Sequence, residues 1–301
     1  MDYKITKWQL MKRNYQSYIL LAPYFILFFT FTVIPVIMAI TLSFTSFNML
    51  QMPQFVGWDN YLRLFLENEV FIIALQNTLI FAVFTGPIGY VLSFGVAWIL
   101  NELRPKIRAF MTVVFYAPTI SGNIFLIWGW FFSGDRYGWV NGRLLAFGLI
   151  DGPINFFRDP RFILPILVVV QLWLSLGIGF LAFIAGLQTV DKTLYEAGAV
   201  DGVRNRWQEL WYITLPSMRP QLMFGAVMQI TASFSVAGVV TALAGPMPTV
   251  NYAGDTIITH LEDIAWLRFE MGYASAIAVI LFCLTVGANR GIQRLLRRVG
   301  T

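Results

Sequence analysis

The run Phe162-Ile-Leu-Pro-Ile-Leu-Val-Val-Val-Gln-Leu-Trp-Leu-Ser-Leu-Gly-Ile-Gly-Phe-Leu-Ala-Phe-Ile-Ala-Gly-Leu-Gln-Thr-Val190 carries no ionisable side chain. It passes without a linker into Asp191-Lys-Thr-Leu-Tyr-Glu-Ala-Gly-Ala-Val-Asp-Gly-Val-Arg-Asn-Arg-Trp-Gln-Glu-Leu-Trp-Tyr-Ile-Thr-Leu-Pro216, and then into a second uncharged stretch, Pro220 to Gly254. A bilayer-spanning helix needs roughly 20 mainly apolar residues. An ionised group at its centre costs about 2.5 to 3.5 kcal/mol on insertion scales. The pattern therefore reads as membrane helix, polar loop, membrane helix.

Outward from this pair, four more uncharged stretches appear: Asn14 to Trp58, Val70 to Asn101, Ala109 to Gly134 and Met271 to Asn289. Only 12% of the 301 residues are charged against 57% hydrophobic, which argues against a water-soluble enzyme. The sequence predicts an all-α integral membrane protein with six transmembrane helices near Tyr18–Phe44, Phe71–Asn101, Ile107–Phe132, Phe162–Leu187, Gln221–Leu243 and Gly272–Asn289. The first run exceeds the roughly 7 to 15 residues of a signal-peptide core, so it reads as an uncleaved helix.

Loop charge then sets the sidedness. Fifteen of the 21 Lys and Arg residues fall on one side: Lys4, Lys7, Lys12, Arg13, Arg104, Lys106, Arg108, Lys192, Arg204, Arg206, Arg219, Arg290, Arg294, Arg297 and Arg298. The other side holds Arg63, Arg136, Arg143, Arg158, Arg161 and Arg268. The positive-inside rule places both termini in the cytoplasm, and with them the loop at 191–216. The net charge of +5 thus reflects sidedness, and no nucleic-acid partner is expected. The chain reads as one transmembrane domain over 1–301. Arg290, Arg294, Arg297 and Arg298 share a helical face opposite Ile292, Leu295 and Leu296, as in an amphipathic segment at a lipid or partner surface.

Several chemistries lack their parts. There is no G-x-x-x-x-G-K-[ST] phosphate loop, so ATP hydrolysis falls to another chain, and no span contains an acidic residue. His260 is the only histidine, in an outer loop, and reads as a structural surface residue; no metal site or bound cofactor is expected. The lone Cys283 excludes an intrachain disulfide. Neither interrupted helices nor inverted halves are visible that would mark a secondary transporter.

The loop itself reads as two short helices. Thr193 with Glu196 has the spacing of a capping box, Gly202 supplies a left-handed stop, and Asn205 with Gln208 opens the second helix. Ala197, Gly198, Ala199 and Gly202 leave a surface with little side chain, able to seat closely against another protein.

Glu196-Ala197-Gly198, then Asp201-Gly202, then Ile213-x-Leu215-Pro216 resembles the cytoplasmic signature of binding-protein-dependent ABC transporter permeases. Gly198 stands where that signature usually has Ala, and ten residues rather than nine separate Gly202 from Ile213. The wider chain is similar to compact sugar permeases of the maltose and glycerol-phosphate type, through Phe55-Val-Gly-Trp-Asp-Asn-Tyr61, Gln76-Asn-Thr-Leu79 and Gly272-Tyr-Ala-Ser-Ala276. The resemblance implies the type I ABC importer permease fold in a prokaryotic cytoplasmic membrane. It implies alternating access driven by ATP and Mg on two partner ATPase subunits, with a second homologous permease and an extracytoplasmic solute-binding protein. Glu196 to Gly202 would be the coupling helix, and 191–216 the coupling loop.

Neutral polar residues inside the spans mark a candidate path: Ser175, Gln229, Thr231, Ser233, Ser235 and Asn123, with Trp173 offering a flat wall for a sugar ring. No Lys or Arg lies among them, which favours a carbohydrate over a glycerol-phosphate-type substrate. The rival reading is an ion-coupled secondary transporter or channel whose inner loop is only an interfacial helix pair.

Overall fold

Side chains that are apolar on every face leave a helix no solvent but lipid or other helices. The computed structural model, which describes residues 14–122, 124–245 and 247–298, is built from such helices. In chain order the elements are α1 (Tyr15–Leu42, with a π turn at Phe29–Val33), a two-residue antiparallel pair β1 (Thr45–Ser46) and β2 (Gln54–Phe55), and α2 (Asp59–Leu66). Next come α3 (Glu69–Asn101), α4 (Pro105–Ile120), α5 (Phe125–Phe131), α6 (Trp139–Ala146), α7 (Ile163–Trp173) and α8 (Ile178–Thr189). The remainder is α9 (Lys192–Val200), α10 (206–217), α11 (Arg219–Phe234), α12 (Gly238–Ala244), α13 (Ile257–Glu262) and α14 (Met271–Arg298).

Among the described residues, four helices are long and apolar enough to cross a membrane by themselves: α1, α3, Ile163–Thr189 and Met271–Leu296. The other two expected spans are bent pairs. α4 and α5 meet at 82°, just beyond Pro118 and Gly122, and α11 and α12 meet at 40° across Ser235–Ala237. A third interruption at Leu174–Gly177 separates α7 from α8. The count is therefore four spans, or six if each bent pair is one. The uninterrupted helices expected at 107–132 and 221–243 are corrected. Pro, Gly and Ser at these points lower the cost of breaking a helix, and such breaks are tolerated where protein covers the freed backbone.

The centre is a three-helix contact. α3, α8 and α11 pack mutually, and α14 lies on α11 with the second half of α1 beside it. Between membrane helices the gain comes from close packing rather than from exclusion of water, so small residues mark the crossings. A Cβ on Gly179 would stand 3.5 Å from the Gly225 backbone, and one on Gly225 would collide with the Phe183 ring. Phe180, Phe183, Leu187 and Met218 close this core near the 191–216 loop. Phe81, Leu167, Val170 and Val240 close it at the opposite end. By contrast α1 buries none of its residues.

The outer segments are tied to the spans by amides and hydroxyls. Asn60 donates to the Ser43 and Thr45 carbonyls, Asn77 donates to those of Tyr252 and Asp255, and the Thr78 hydroxyl accepts from the Ile257 amide. The motifs at 55–61 and 76–79 thus anchor loops. His260 is corrected from a surface residue to a buried one, only 5% exposed and 3.2 Å from Asn68 Nδ2. Lys4, Lys7, Lys12 and Arg13 lie outside the described residues, as do the Arg297 and Arg298 side chains.

Candidate functional site

Asp191 sets the start of α9. Its carboxylate accepts the Thr193 backbone N–H at 3.0 Å, and the hydrogen bonds from Thr193 hold it below the usual carboxylate range. The capping box expected at Thr193 and Glu196 is thereby corrected. The helix begins two residues earlier because an Asp on extended backbone is the stronger cap, which leaves Thr193 inside the first turn. Glu196, Ala197, Ala199 and Asp201 line the exposed side with Val200, itself 87% exposed.

Gly198 faces the other way. A Cβ there would come within 2.6 Å of Ile213 Cδ1, so α9 and α10 close on each other at this glycine. The Tyr195 hydroxyl is 2.9 Å from Thr214 Oγ1 alongside. Gly202 turns the chain at φ +95°, a left-handed conformation that side chains disfavour. Asn205 then caps α10 by accepting from the Gln208 amide at 2.8 Å, while Gln208 Oε1 accepts from the Arg204 amide. Residues Leu210–Thr214 form a π turn that buries Leu210, Ile213 and Thr214; Leu215 and Pro216 follow, with Pro216 exposed. The result is a short hairpin of helices, stiffened from within, with a smooth outer face.

The hairpin stands on the spans through two contacts that the sequence reading did not single out. Arg206 bridges Glu102 at the end of α3 (2.8 Å) and Glu209 (3.0 Å), and Trp207 lies 5.3 Å from Trp98. Behind them a cavity of about 520 Å³ separates hairpin from bundle, lined among others by Arg108, Lys192 and Tyr195. No motif distinguishes Glu102 or Trp98; only their place at the last turn of a long span hints at a role.

The second set of side chains divides. Ser175, Gln229 and Ser233 are buried together against α3. Gln229 Nε2 donates to the Thr85 carbonyl at 2.9 Å, Gly86 leaves room for Ser233, and Gly89 leaves room for Gln229 and Ser175. Thr231 and Ser235 lie on the opposite, exposed side of α11 with Phe224 and Met228. Trp173 is half-buried at the end of α7, with its ring 5.5 Å from that of Trp128. Asn123 lies outside the described residues.

Residues 70–301 match the family described as binding-protein-dependent transport system inner membrane component. The chain belongs to this family. Among its curated relatives, the probable ABC transporter permease protein YesP of Bacillus subtilis (strain 168) is 31% identical over 281 residues, 91% of this chain and 87% of that one. The lactose transport system permease protein LacF of Rhizobium radiobacter is 32% identical over 222 residues, 72% of each. A chain from the solved structure of the bacterial alginate ABC transporter, in complex with alginate pentasaccharide-bound periplasmic protein, superposes with a TM-score of 0.78 at 25% identity over 98% of each chain. This permease therefore has the ABC importer permease fold and is an inner membrane component of a transport system.

Proposed function

We propose that this permease is one of two membrane subunits of an ATP-driven, binding-protein-dependent importer of a sugar or oligosaccharide. The observation that carries the reading is the family match over 70–301, which includes the whole hairpin. Relatives named for lactose and alginate transport support the carbohydrate class. The six-span count, with both termini in the cytoplasm, follows from taking each bent pair as one span and from the loop charges.

Residues 191–216 act as the coupling loop of this transmembrane domain. A partner ATPase can drive the permease only through contacts that differ between its open and closed states, so the connector must move as one body. The Gly198–Ile213 and Tyr195–Thr214 contacts give the hairpin that stiffness. Glu196, Ala197, Ala199 and Asp201 present the docking face. Gly198, Gly202, Ile213, Leu215 and Pro216 hold it in shape, and Arg206 with Trp207 passes its motion to α3. ATP and Mg reside on two ATPase subunits, an external solute-binding protein delivers the sugar, and a second, homologous permease completes the path. Thr231 and Ser235 face that path. Ser175, Gln229 and Ser233 set the shape of the helix that carries them, and Trp173 and Asn123 complete the set of residues assigned to the path.

The test is purification with the ATPase and second permease, followed by reconstitution with the binding protein. ATP-dependent uptake that needs every component is the expected result, whereas uptake by this chain alone down an ion gradient refutes the reading. Ala197→Trp, on the exposed face, should weaken ATPase retention by about tenfold, equivalent to about 1.4 kcal/mol.

A further inference from the structure

We propose that the cavity between the hairpin and the bundle binds a sugar phosphate from the cytoplasm, and that this ligand restrains the coupling loop. The effect on transport rests on the coupling reading above; the site rests on its own geometry. At about 520 Å³ the cavity has the size of a pocket for a small organic ligand, more room than a lone inorganic ion fills. Its lining comes from the end of α3, the start of α4, the end of α8 and both helices of the hairpin.

The charges of this lining are not paired off. Arg206 engages both of its carboxylates, Glu102 and Glu209. Arg108 is held instead by neutral groups: Nη1 donates to Asn101 Oδ1 at 3.0 Å, and Nη2 donates to Gln188 Oε1 at 3.3 Å. Lys192 faces the same space, and its side chain makes no ion pair or hydrogen bond among the described residues. Two cations, one on α4 and one on α9, therefore border the cavity without a carboxylate partner. An oxyanion is their complement, and a planar guanidinium fork beside a compact ammonium suits the several oxygens of a phosphate monoester. The remaining lining suits a sugar. Trp98 supplies a flat apolar face, while Tyr195 and the two amides that hold Arg108 can meet hydroxyl groups. A neutral sugar would leave both charges unanswered.

The cavity is separate from the sites already assigned. None of the path residues lines it, and neither does the docking face formed by Glu196, Ala197, Ala199 and Asp201. A phosphate gripped by Arg108 and Lys192 ties α9 to α4. It favours the state in which the hairpin lies as it does here and opposes ATP-driven departure from it. Import would then be checked by the product of a kinase that phosphorylates the incoming sugar.

Equilibrium dialysis of the full chain in mild detergent, against radiolabelled monophosphates of glucose, galactose and ribose, tests the site. At least one should bind saturably, one per chain and more tightly than inorganic phosphate, with no competition from the unphosphorylated sugars. Lys192→Gln and Arg108→Gln should each weaken binding by about tenfold. Lys192 has no partner to lose, so its replacement leaves the fold intact even where that of Arg108 does not. In vesicles of the complete importer, the tightest of the three, enclosed with ATP, should slow uptake severalfold, and Lys192→Gln should abolish the difference between vesicles with and without it. Absence of binding by all three, or binding that survives both substitutions, overturns the site. Affinity for inorganic phosphate equal to that for the sugar phosphates overturns the ligand class, as does displacement by phosphatidylglycerol but not by phosphatidylcholine, which would assign the cations to a lipid headgroup. Binding that leaves uptake unchanged overturns the restraint on coupling. The dialysis uses neither ATP nor transported sugar, so failure of the site and failure of the transport reading are distinguished.

Discussion

At the scale of single residues, two positions carry stability in ways that burial alone does not convey. Gly225 is the point where α11 passes under the Phe183 ring and against Gly179. Gly225→Ala should destabilise the chain by about 1 to 3 kcal/mol, the usual cost of overpacking, and lower the midpoint of thermal unfolding in detergent. Gly202→Ala, at φ +95° with open space around it, should cost only about 1 kcal/mol, since strain is the sole penalty. His260 supplies a pH dependence. Asn68 Oδ1 accepts the Phe71 amide, so its Nδ2 must donate both to the Tyr273 hydroxyl and to His260 Nε2. That geometry requires a neutral imidazole. Burial also lowers the His260 pKa, outweighing the favourable charges of Asp263 and Asp255, while Arg268 adds to the lowering. With the folded pKa below the unfolded one, the unfolded chain binds the extra proton first. Stability is then full above about pH 6.5 and falls as pH drops from there through the folded value. Unfolding midpoints measured from pH 7.5 to pH 5 should show this loss, and His260→Gln should flatten it.

At the scale of elements, the hairpin shows what sequence can and cannot convey. Gly202 and Asn205 were legible because turn and cap chemistry is local: each needs only its neighbours. The start of α9 is not legible at Thr193 because two capping residues stand two positions apart, and the extended backbone at Asp191 decides between them. The additional residue before Ile213 has a structural counterpart in the π turn at Leu210–Thr214, which takes one residue more than an α turn. Gly198 was assigned to the outer surface, yet its contact is Ile213, fifteen positions on, and no local pattern encodes such a pairing. The bent spans were hidden for a similar reason. Composition measures whether a segment tolerates lipid, and a helix broken at Ser235–Ala237 is as apolar as an intact one. The reading of Gly198 has a direct check. Gly198→Val should push Ile213 aside and loosen the hairpin, so that binding-protein-stimulated ATPase activity falls while unstimulated hydrolysis persists. Arg206→Gln should change unfolding stability by less than about 1 kcal/mol, because exposed ion pairs contribute little. Its effect belongs instead in the ratio of sugar moved to ATP hydrolysed, which should drop.

At the scale of the whole molecule, α11 separates two environments. One side is buried against α3, where Gln229 and Ser233 meet carbonyls and glycines. The other leaves Thr231, Ser235, Phe224 and Met228 uncovered. A polar and apolar mixture of this kind suits neither bulk lipid nor water, but it suits a path closed by a second permease, in which hydroxyls meet a sugar and apolar groups seal the route. The consequence is measurable by thiol accessibility. Cys283 is exposed on the last span and must first be replaced, for instance by Ala. In that background Thr231→Cys should react with a small water-soluble maleimide once the second permease is present, because assembly turns this face into an aqueous path. Transported sugar during ATP turnover should slow the reaction. Ser233→Cys, two residues away but buried at 2% exposure, should remain unreactive under all three conditions. Equal labelling at both positions would mean that α11 does not divide path from packing core, and the assignment of Thr231 to the path would fall. Labelling of Thr231→Cys that ignores the sugar would restrict its role to the helix contact between the two permeases.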